Sequence, residues 1–147
     1  MTDAELAAHL AEIAGRILLD VRDSGVFEGK ALGRAGDATA NEFLCHAIRS
    51  ARPGDGLLSE EEKDDTARCS ISRVWSVDPG DGTREYGEQR SDWAVHVGLA
   101  IDGVAQTGAV ALPGLDGGTV LRTAQLSDLP AANDKPRFLV SRTRPAK

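Results

Sequence analysis

Residues 93–112 read WAVHVGLAIDGVAQTGAVAL, two runs in which apolar residues alternate with small or polar ones on either side of Asp102-Gly103. Alternation with a period of two is typical of half-buried strands, and an Asp-Gly pair supplies the positive φ angles that tight hairpin turns need. The stretch therefore predicts a β-hairpin, with strands over 93–101 and 104–112. Further strands are expected over 118–124 and, after a polar connection over 125–136, over 137–141.

Two helices are predicted upstream of the hairpin. Thr2 and Glu5 form a capping box, and apolar residues then recur at helical spacing until Gly25, which predicts a helix over this stretch. A second helix is predicted from about Ala38 to Ala51, and Asp37 lies where a capping carboxylate would stabilise its start. The apolar stripe of the second helix consists of Phe43, Leu44, Ala47 and Ile48.

Short apolar runs between the second helix and the hairpin are typical of strands. They are Leu57-Leu58 and then Val74, Trp75 and Val77, each closed by charged or turn residues. Two helices followed by several antiparallel strands predict an α+β fold, in which the helices pack on a mostly antiparallel sheet. With 147 residues, of which 41% are hydrophobic, the chain is long enough for one domain with its own core.

The overall charge restricts the classes of partner. The formal net charge is -6, and no cluster of lysines and arginines could neutralise a run of phosphates, which argues against a non-specific nucleic-acid binder. Two cysteines are too few for a disulfide framework, the N-terminus lacks the pattern of a signal peptide, and no apolar run approaches the roughly 20 residues of a membrane span. The sequence therefore predicts a soluble, cytoplasmic protein without nucleic-acid or membrane partners. A small phosphorylated substrate is compatible with this charge if metal ions bring positive charge.

Acidic residues follow two of the predicted strands. Residues 58–62 read LSEEE, and residues 77–83 read VDPGDGT. Magnesium takes oxygen ligands in near-octahedral geometry, so a site needs a few carboxylates that converge from rigid backbone. In the second segment, the proline fixes one dihedral and the last glycine relaxes another, which allows Asp78 and Asp81 to turn towards one point together with a main-chain carbonyl. Taken separately, each segment is also an ordinary solvated loop or turn.

The order of these motifs resembles the inositol monophosphatase superfamily, whose hallmark is a Glu-Glu pair ending one strand and a Trp-x-x-Asp-Pro-x-Asp-Gly-Thr motif ending the next. This chain has Glu60-Glu61 and then WSVDPGDGT over 75–83. Residues 58–61 and 81–86 are similar to the bisphosphate nucleotidases of sulfur assimilation, and further stretches that look like family blocks are 35–37, 84–86, 92–100 and 108–113.

That resemblance implies the layered sugar-phosphatase fold and a reaction. The reaction is magnesium-dependent hydrolysis of 3'-phosphoadenosine 5'-phosphate to AMP and phosphate. Inositol phosphates and fructose 1,6-bisphosphate are the alternative substrates.

The resemblance also implies the ligands of two magnesium ions. Glu60, Asp78 and the carbonyl oxygen of Gly80 would hold one ion, while Asp78 and Asp81 would begin the shell of the second, so that Asp78 bridges the two. In the family, a metal-bound water attacks phosphorus in line, and the second metal stabilises the leaving ester oxygen. No covalent enzyme intermediate is needed.

The same resemblance assigns the catalytic and phosphate-binding residues. Glu60 and the Thr83 hydroxyl would position the attacking water, and the backbone amides of Gly82 and Thr83 would lie against the substrate phosphate. Asp37 is expected near the metal site, which it reaches through water, and a helix N-cap is the competing interpretation of this residue. His96 alternates with apolar residues in a predicted strand and is interpreted as a structural or surface histidine.

Two features depart from the family pattern. Gly80 replaces a bulky aliphatic residue, which predicts a looser loop and weaker metal affinity. Family members are also nearly twice as long, because a second α/β domain supplies another ligating aspartate and most contacts to the substrate.

Residues 1–147 are therefore expected to form the N-terminal metal-binding α+β domain, with the C-terminal α/β domain absent. An inactive fragment, or one half of a two-chain enzyme, is the alternative hypothesis. Without the second domain, one face of the sheet is expected to expose apolar surface and to promote a homodimer or association through that face.

Overall fold

The computed structural model describes residues 1–63, 65–125, 131, 135–136 and 140. Most of the strand predicted over 137–141 and most of the predicted connection over 125–136 lie outside these residues. The described elements are, in chain order, helix α1 (Asp3–Asp23), helix α2 (Gly29–Ala51), strand β1 (Gly56–Ser59), a 3-10 helix (Thr66–Ser70), strand β2 (Arg73–Asp81), helix α3 (Thr83–Gly87), and strands β3 (Ala94–Ile101), β4 (Val104–Leu112) and β5 (Thr119–Arg122).

The five strands form one sheet, in which the spatial order equals the chain order. β1 pairs with β2 in parallel, and all later neighbours are antiparallel. The predicted hairpin is confirmed as β3 and β4, and its turn residues Asp102 and Gly103 have φ angles of 51° and 77°. The prediction of an α+β fold with a mostly antiparallel sheet is therefore confirmed, with three helices among the described residues instead of two.

Helices α1 and α2 pack against each other and against one face of the sheet. The side chains that point towards the helices, such as Trp75 and Val95, are almost fully buried. Their neighbours Ser76 and His96 point to the other face, because successive residues of a strand alternate. The capping box predicted at the start of α1 is present. No helix in the described part of the chain is long and apolar enough to cross a membrane.

Asp3, in the first turn of α1, connects three elements. Its carboxylate accepts hydrogen bonds from Arg52 Nε at the end of α2 and from Arg73 Nη2 on β2, each at 3.0 Å. Arg73 Nε also donates to Asp55 at 2.9 Å, and the other Asp55 oxygen accepts the indole N–H of Trp75 at 2.7 Å. Burial pushes the pKa of Asp3 upwards, but the hydrogen bonds and charges of the two arginines outweigh it and lower the pKa below its ordinary value.

Helix α2 begins at Gly29, well before the predicted start at Ala38. Asp37 therefore lies inside the helix, and the interpretation of this residue as an N-cap is wrong. The glycines of this stretch weaken the helical pattern in the sequence, but they are needed where α2 meets α3. A Cβ at Gly36 would lie 2.6 Å from the Tyr86 ring, so only glycine allows this approach.

The acidic motif after Val77 is part of the sheet, and not a loop beyond the strand as predicted. Strand β2 continues to Asp81, with a shift of register between Asp78 and Asp81 that marks an irregularity of the bulge type. Pro79 is fully buried at this point. Helix α3 follows Gly82, whose φ of 90° turns the chain. Helix α3 was not predicted from the sequence, because five residues are too few for a periodic pattern.

Candidate metal and phosphate site

Parallel pairing of β1 and β2 brings the two acidic segments to the same edge of the sheet. Ser59 pairs with Val77, and the Glu60 amide donates to the Val77 carbonyl oxygen at 3.4 Å. Glu60 therefore starts its loop beside Asp78. The negative charge of Asp78 is the main cause of a raised Glu60 pKa, and partial burial and the charge of Asp81 add to it. The predicted carboxylates thus lie close enough to repel one another.

A buried polar network fixes the start of the first acidic loop. The Ser59 hydroxyl donates to Asn41 Oδ1 of α2 at 2.5 Å and accepts a hydrogen bond from the Glu61 amide at 3.1 Å. The Cys45 thiol donates to the same Asn41 oxygen at 3.3 Å, and burial is the main cause that raises its pKa to about 11. The backbone that carries Glu60 is thereby tied to α2.

The third glutamate of the run has a different partner. Glu62 accepts two hydrogen bonds from the Arg49 guanidinium of α2, at 3.3 and 2.6 Å. The hydrogen bond from Arg49 is the main cause of a lowered Glu62 pKa. Because this bidentate pair uses both carboxylate oxygens, Glu62 supports the loop, and Glu60 is the glutamate that interacts with the acids of β2.

The end of β2 is held by two local hydrogen bonds. The Gly80 amide donates to Asp78 Oδ1 at 3.1 Å, and the Thr83 hydroxyl donates to the Gly80 carbonyl oxygen at 2.9 Å. Gly82 permits the turn between them, since a Cβ there would lie 3.2 Å from the Asp92 carbonyl oxygen at a φ of 90°. A carbonyl oxygen has two lone pairs, so the Gly80 oxygen keeps acceptor capacity for a cation.

Asp37 approaches the same segment from α2. Its side chain is buried, and its Oδ1 atom has no hydrogen-bond partner among the described residues. This oxygen occupies the space that a Cβ at position 80 would need, so glycine at 80 is what admits Asp37. Burial is the main cause that raises the pKa of Asp37 to about 6, the nearby Thr83 side chain opposes the rise, and the neighbouring acidic residues add to it. The structure thus brings Asp37 together with Gly80 and Thr83.

His96, which was not predicted to belong to the site, lies beside it. The register of β3 places it opposite Asp78, and its Nε2 atom lies 3.1 Å from Asp81 Oδ2. This contact orients the carboxylate of Asp81. Strand alternation could have indicated that His96 shares a face with Asp78, but the contact with Asp81 depends on the irregular end of β2, which the sequence pattern does not reveal.

The donor set suits a hard divalent cation. The carboxylates of Glu60, Asp78 and Asp81 and the carbonyl of Gly80 are oxygen donors, and a cation would relieve both their repulsion and the unpaired Asp37 oxygen. Across the described residues, no group of three or more His, Cys, Asp or Glu side chains already forms a metal-ligand cluster. Magnesium is usually held by one or two carboxylates and keeps several waters, so the residues fit it when waters complete the shell.

Helix α3 holds Thr83 in position. The Tyr86 hydroxyl donates to the Leu18 carbonyl oxygen of α1 at 2.7 Å, and the Tyr86 ring meets Trp93 edge to face at 5.1 Å and 73°. Burial is the main cause that raises the pKa of Tyr86 to about 12. These contacts fix α3, which begins at Thr83, against the core. The binding of phosphate by the amides of Gly82 and Thr83 stays a prediction.

Sequence comparison identifies relatives over nearly the whole chain. Residues 3–136 match the inositol monophosphatase family. The chain is 44% identical to the 3'-phosphoadenosine 5'-phosphate phosphatase of Mycobacterium leprae (strain TN), over 99% of this chain and 58% of that protein. It is 46% identical to the protein of the same name from Mycobacterium bovis, over 90% of this chain and 53% of that protein. The chain spans about half the length of these relatives.

Solved structures agree with the sequence matches. Staphylococcal IMPase-II superposes with a TM-score of 0.71 at 27% identity, over 90% of this chain and 52% of that chain. Mycobacterium tuberculosis SuhB superposes with a TM-score of 0.67 at 26% identity, over 82% and 43%. The predicted family and fold are therefore confirmed, and the chain belongs to the inositol monophosphatase family.

Proposed function

We propose that this chain carries the metal-binding part of a magnesium-dependent phosphomonoesterase that hydrolyses 3'-phosphoadenosine 5'-phosphate to AMP and phosphate. The observation that carries the proposal is the placement of Glu60 beside Asp78 at one edge of the sheet, next to Thr83 and a buried Asp37. The names of the two mycobacterial relatives, at 44% and 46% identity, support the choice of substrate.

The proposed ligands follow from the oxygen donors at this edge. Glu60, Asp78 and the Gly80 carbonyl oxygen would hold one magnesium ion, and Asp78 and Asp81 would begin the shell of a second. Magnesium bound here would supply the positive charge that activates a water nucleophile and stabilises the leaving ester oxygen. His96 would keep Asp81 oriented through its 3.1 Å contact.

The chain's own residues would orient the reacting groups. The Thr83 hydroxyl is fixed by its hydrogen bond to the Gly80 carbonyl oxygen, and the Asp37 carboxylate lies nearby. From there, Thr83 and Glu60 would align a water with the phosphorus, opposite the ester oxygen that leaves. The backbone amides of Gly82 and Thr83 would stabilise the oxygens of the phosphoryl group.

The proposal includes the place of this chain in a larger enzyme. Residues 1–147 would supply the N-terminal metal-binding domain, and an α/β domain would supply another ligating aspartate and further contacts to the nucleotide. The coverage of about half of each relative supports this division. The proposal also includes a role in sulfur metabolism and a cytoplasmic location.

Phosphate release from 3'-phosphoadenosine 5'-phosphate in the presence of MgCl2 tests the proposal. We expect slow release by the wild-type chain, since part of the proposed ligand set belongs to the α/β domain, and its loss in Glu60→Ala, because that variant lacks a ligand of the proposed site. Glu12→Ala removes an exposed carboxylate of α1 and should behave as wild type. Wild-type release no greater than that of Glu60→Ala would overturn the proposal for this chain, and would favour an inactive fragment or half of a two-chain enzyme.

Two further measurements separate the alternatives. Side-by-side turnover of inositol 1-phosphate and fructose 1,6-bisphosphate shows which phosphomonoester is preferred. Thermal unfolding with MgCl2 or with EDTA reports metal binding without catalysis, since a ligand that binds only the folded state raises stability. We expect MgCl2 to raise the Tm of wild type and to have little effect on Asp78→Asn.

A further inference from the structure

A cleft of about 690 Å³ lies between the start of α2 and helix α3. Gly29, Gly33 and Gly87 line it, together with Thr83. The close approach of the helices depends on these glycines, since a Cβ at Gly33 would lie 2.8 Å from Thr83 Cγ2, and one at Gly87 would lie 2.6 Å from the Gly29 carbonyl oxygen. The cleft therefore opens directly beside the residue that we assign to orienting the water.

Two exposed cations line this cleft. Lys30 and Arg34 lie on α2, and neither has a hydrogen bond or an ion pair with another residue in the described part of the chain. They are four positions apart, which places them on one face of the helix about 6 Å apart along its axis. Arg84, also in the cleft, is instead bound to Glu88 at 2.8 Å.

Lys30 and Arg34 place two positive charges side by side in an acidic molecule. The chain has a net charge of -6, and the neighbouring catalytic segment is acidic. Like charges four residues apart on a helix repel each other, so Lys30 and Arg34 destabilise the helix unless an anion lies between them. A phosphate group would relieve this repulsion and would accept charge-assisted hydrogen bonds from both side chains.

We propose that this cleft is the subsite for the non-reacting phosphate of a bisphosphorylated nucleotide, with Lys30 and Arg34 as its ligands. Thr83 marks the boundary between this subsite and the reacting phosphate. The inference rests on the proposed function and adds the residues that distinguish a bisphosphate from a monophosphate. It also places part of substrate recognition on the metal-binding domain itself.

Calorimetric titration with two nucleotides tests the subsite. The wild-type chain is titrated with 3'-phosphoadenosine 5'-phosphate and with adenosine 3'-monophosphate, which lacks the second phosphate, in CaCl2 in place of MgCl2 so that the nucleotides are not hydrolysed during the titration. We expect the bisphosphate to bind wild type at least about tenfold more tightly, since hydrogen bonds to charged groups are of this strength. The double variant Lys30→Ala/Arg34→Ala should lose this preference and should bind the monophosphate as wild type does.

Matched variants exclude a general effect of charge or folding. Arg16→Ala removes an exposed arginine of α1 outside the cleft and should keep the preference for the bisphosphate. Arg34→Glu should bind the bisphosphate more weakly than the double alanine variant, because it adds repulsion. Lys30 and Arg34 are exposed and unpaired, so circular dichroism of all variants should match wild type.

Several results would overturn the subsite. Equal affinity of wild type for the two nucleotides would overturn it, and so would a wild type that binds neither of them. A double variant whose affinity for both nucleotides falls by the same factor would also overturn it. Phosphate release is measured separately on the same proteins. Release without a difference in affinity keeps the proposed function and removes the subsite, whereas a difference in affinity without release keeps the subsite and removes the function.

Discussion

Trp75 and Val95 on the helix-covered face of the sheet are almost fully buried, whereas Ser76 and His96 border an open cleft of about 790 Å³ on the opposite face. The two pairs come from the same two strands, because alternate residues of a strand point to opposite faces. Asp78 also lies on the open face. In strands β2 and β3, the side chains of the covered face therefore stabilise the fold, and those of the open face form part of the candidate site. Substitutions can thus change the stability and the candidate site separately.

The largest expected effect is the loss of a core side chain. Trp75→Ala should lower the free energy of unfolding by about 3–5 kcal/mol, because it leaves a cavity and removes the donor to Asp55. Leu121→Ala on the open face, where the side chain is 47% exposed, should cost less than about 1 kcal/mol. Urea unfolding measures both values. Equal costs would show that the open face is as well packed as the covered one.

A substitution at Gly80, in the candidate site, should lower the stability of the fold more than one at an exposed glycine. Gly80→Ala places a methyl group on Asp37 Oδ1, and we expect a loss of about 1–3 kcal/mol from overpacking. Gly54→Ala, where the added Cβ meets open space, should change stability by less than about 0.5 kcal/mol. Urea unfolding of the two variants gives the comparison.

A double-mutant cycle tests the cause of the Gly80→Ala effect. In the background of Asp37→Ala, the oxygen that collides with the new methyl group is gone. The cost of Gly80→Ala should therefore be smaller there than in wild type. The same cost in both backgrounds would show that position 80 requires glycine for a reason other than Asp37.

The ion pairs of Asp3 stabilise the contact between the helices and the edge of the covered face. Asp3→Asn should lower the free energy of unfolding at pH 7 by about 1 kcal/mol, since the ion pairs with Arg52 and Arg73 are partly exposed and screened. The pKa of Asp3 is lowered in the folded state, so its stabilisation is fully present above the ordinary value of about 3.9 and is lost as the pH falls through the folded pKa. Urea unfolding of wild type and variant at several pH values should give a difference that shrinks below about pH 4, and a constant difference down to pH 2 would contradict this assignment.

The smallest expected effect concerns association through the open face. Val110 and Leu121 line its cleft, and apolar surface of this kind promotes self-association. We expect weak dimers at high protein concentration and fewer of them in Leu121→Asp. Sedimentation at several concentrations measures the equilibrium, and a monomer at every concentration would count against the prediction.

The fold was largely predictable because its strongest signals are local. Alternation on either side of Asp102-Gly103 predicts the hairpin, and the capping box predicts the start of α1. The start of α2 was not predictable, because the glycines before Ala38 disfavour a helix in isolation. Glycine is needed at position 36 because of the close approach of Tyr86, which is a tertiary contact.

The candidate site was also predictable only in part from the sequence. The motif order points to Glu60 and Asp78, and the parallel pairing of β1 and β2 brings their segments together. The contact between Asp37 and Gly80 joins residues from α2 and β2, and no local pattern reports it. The interaction of Glu62 with Arg49 likewise distinguishes the glutamates of one run only after folding.

The different environments of Cys45 and Cys69 provide the protein with two internal chemical probes. Cys69 is exposed, whereas Cys45 is buried with a pKa raised to about 11 by its burial. The thiolate is the nucleophile that attacks an alkylating reagent, so Cys69 should be modified in the native protein and Cys45 only after α2 opens. Because Cys45 and Ser59 share the oxygen of Asn41, the labelling rate of this one thiol would follow the opening of the helix that holds the first acidic loop.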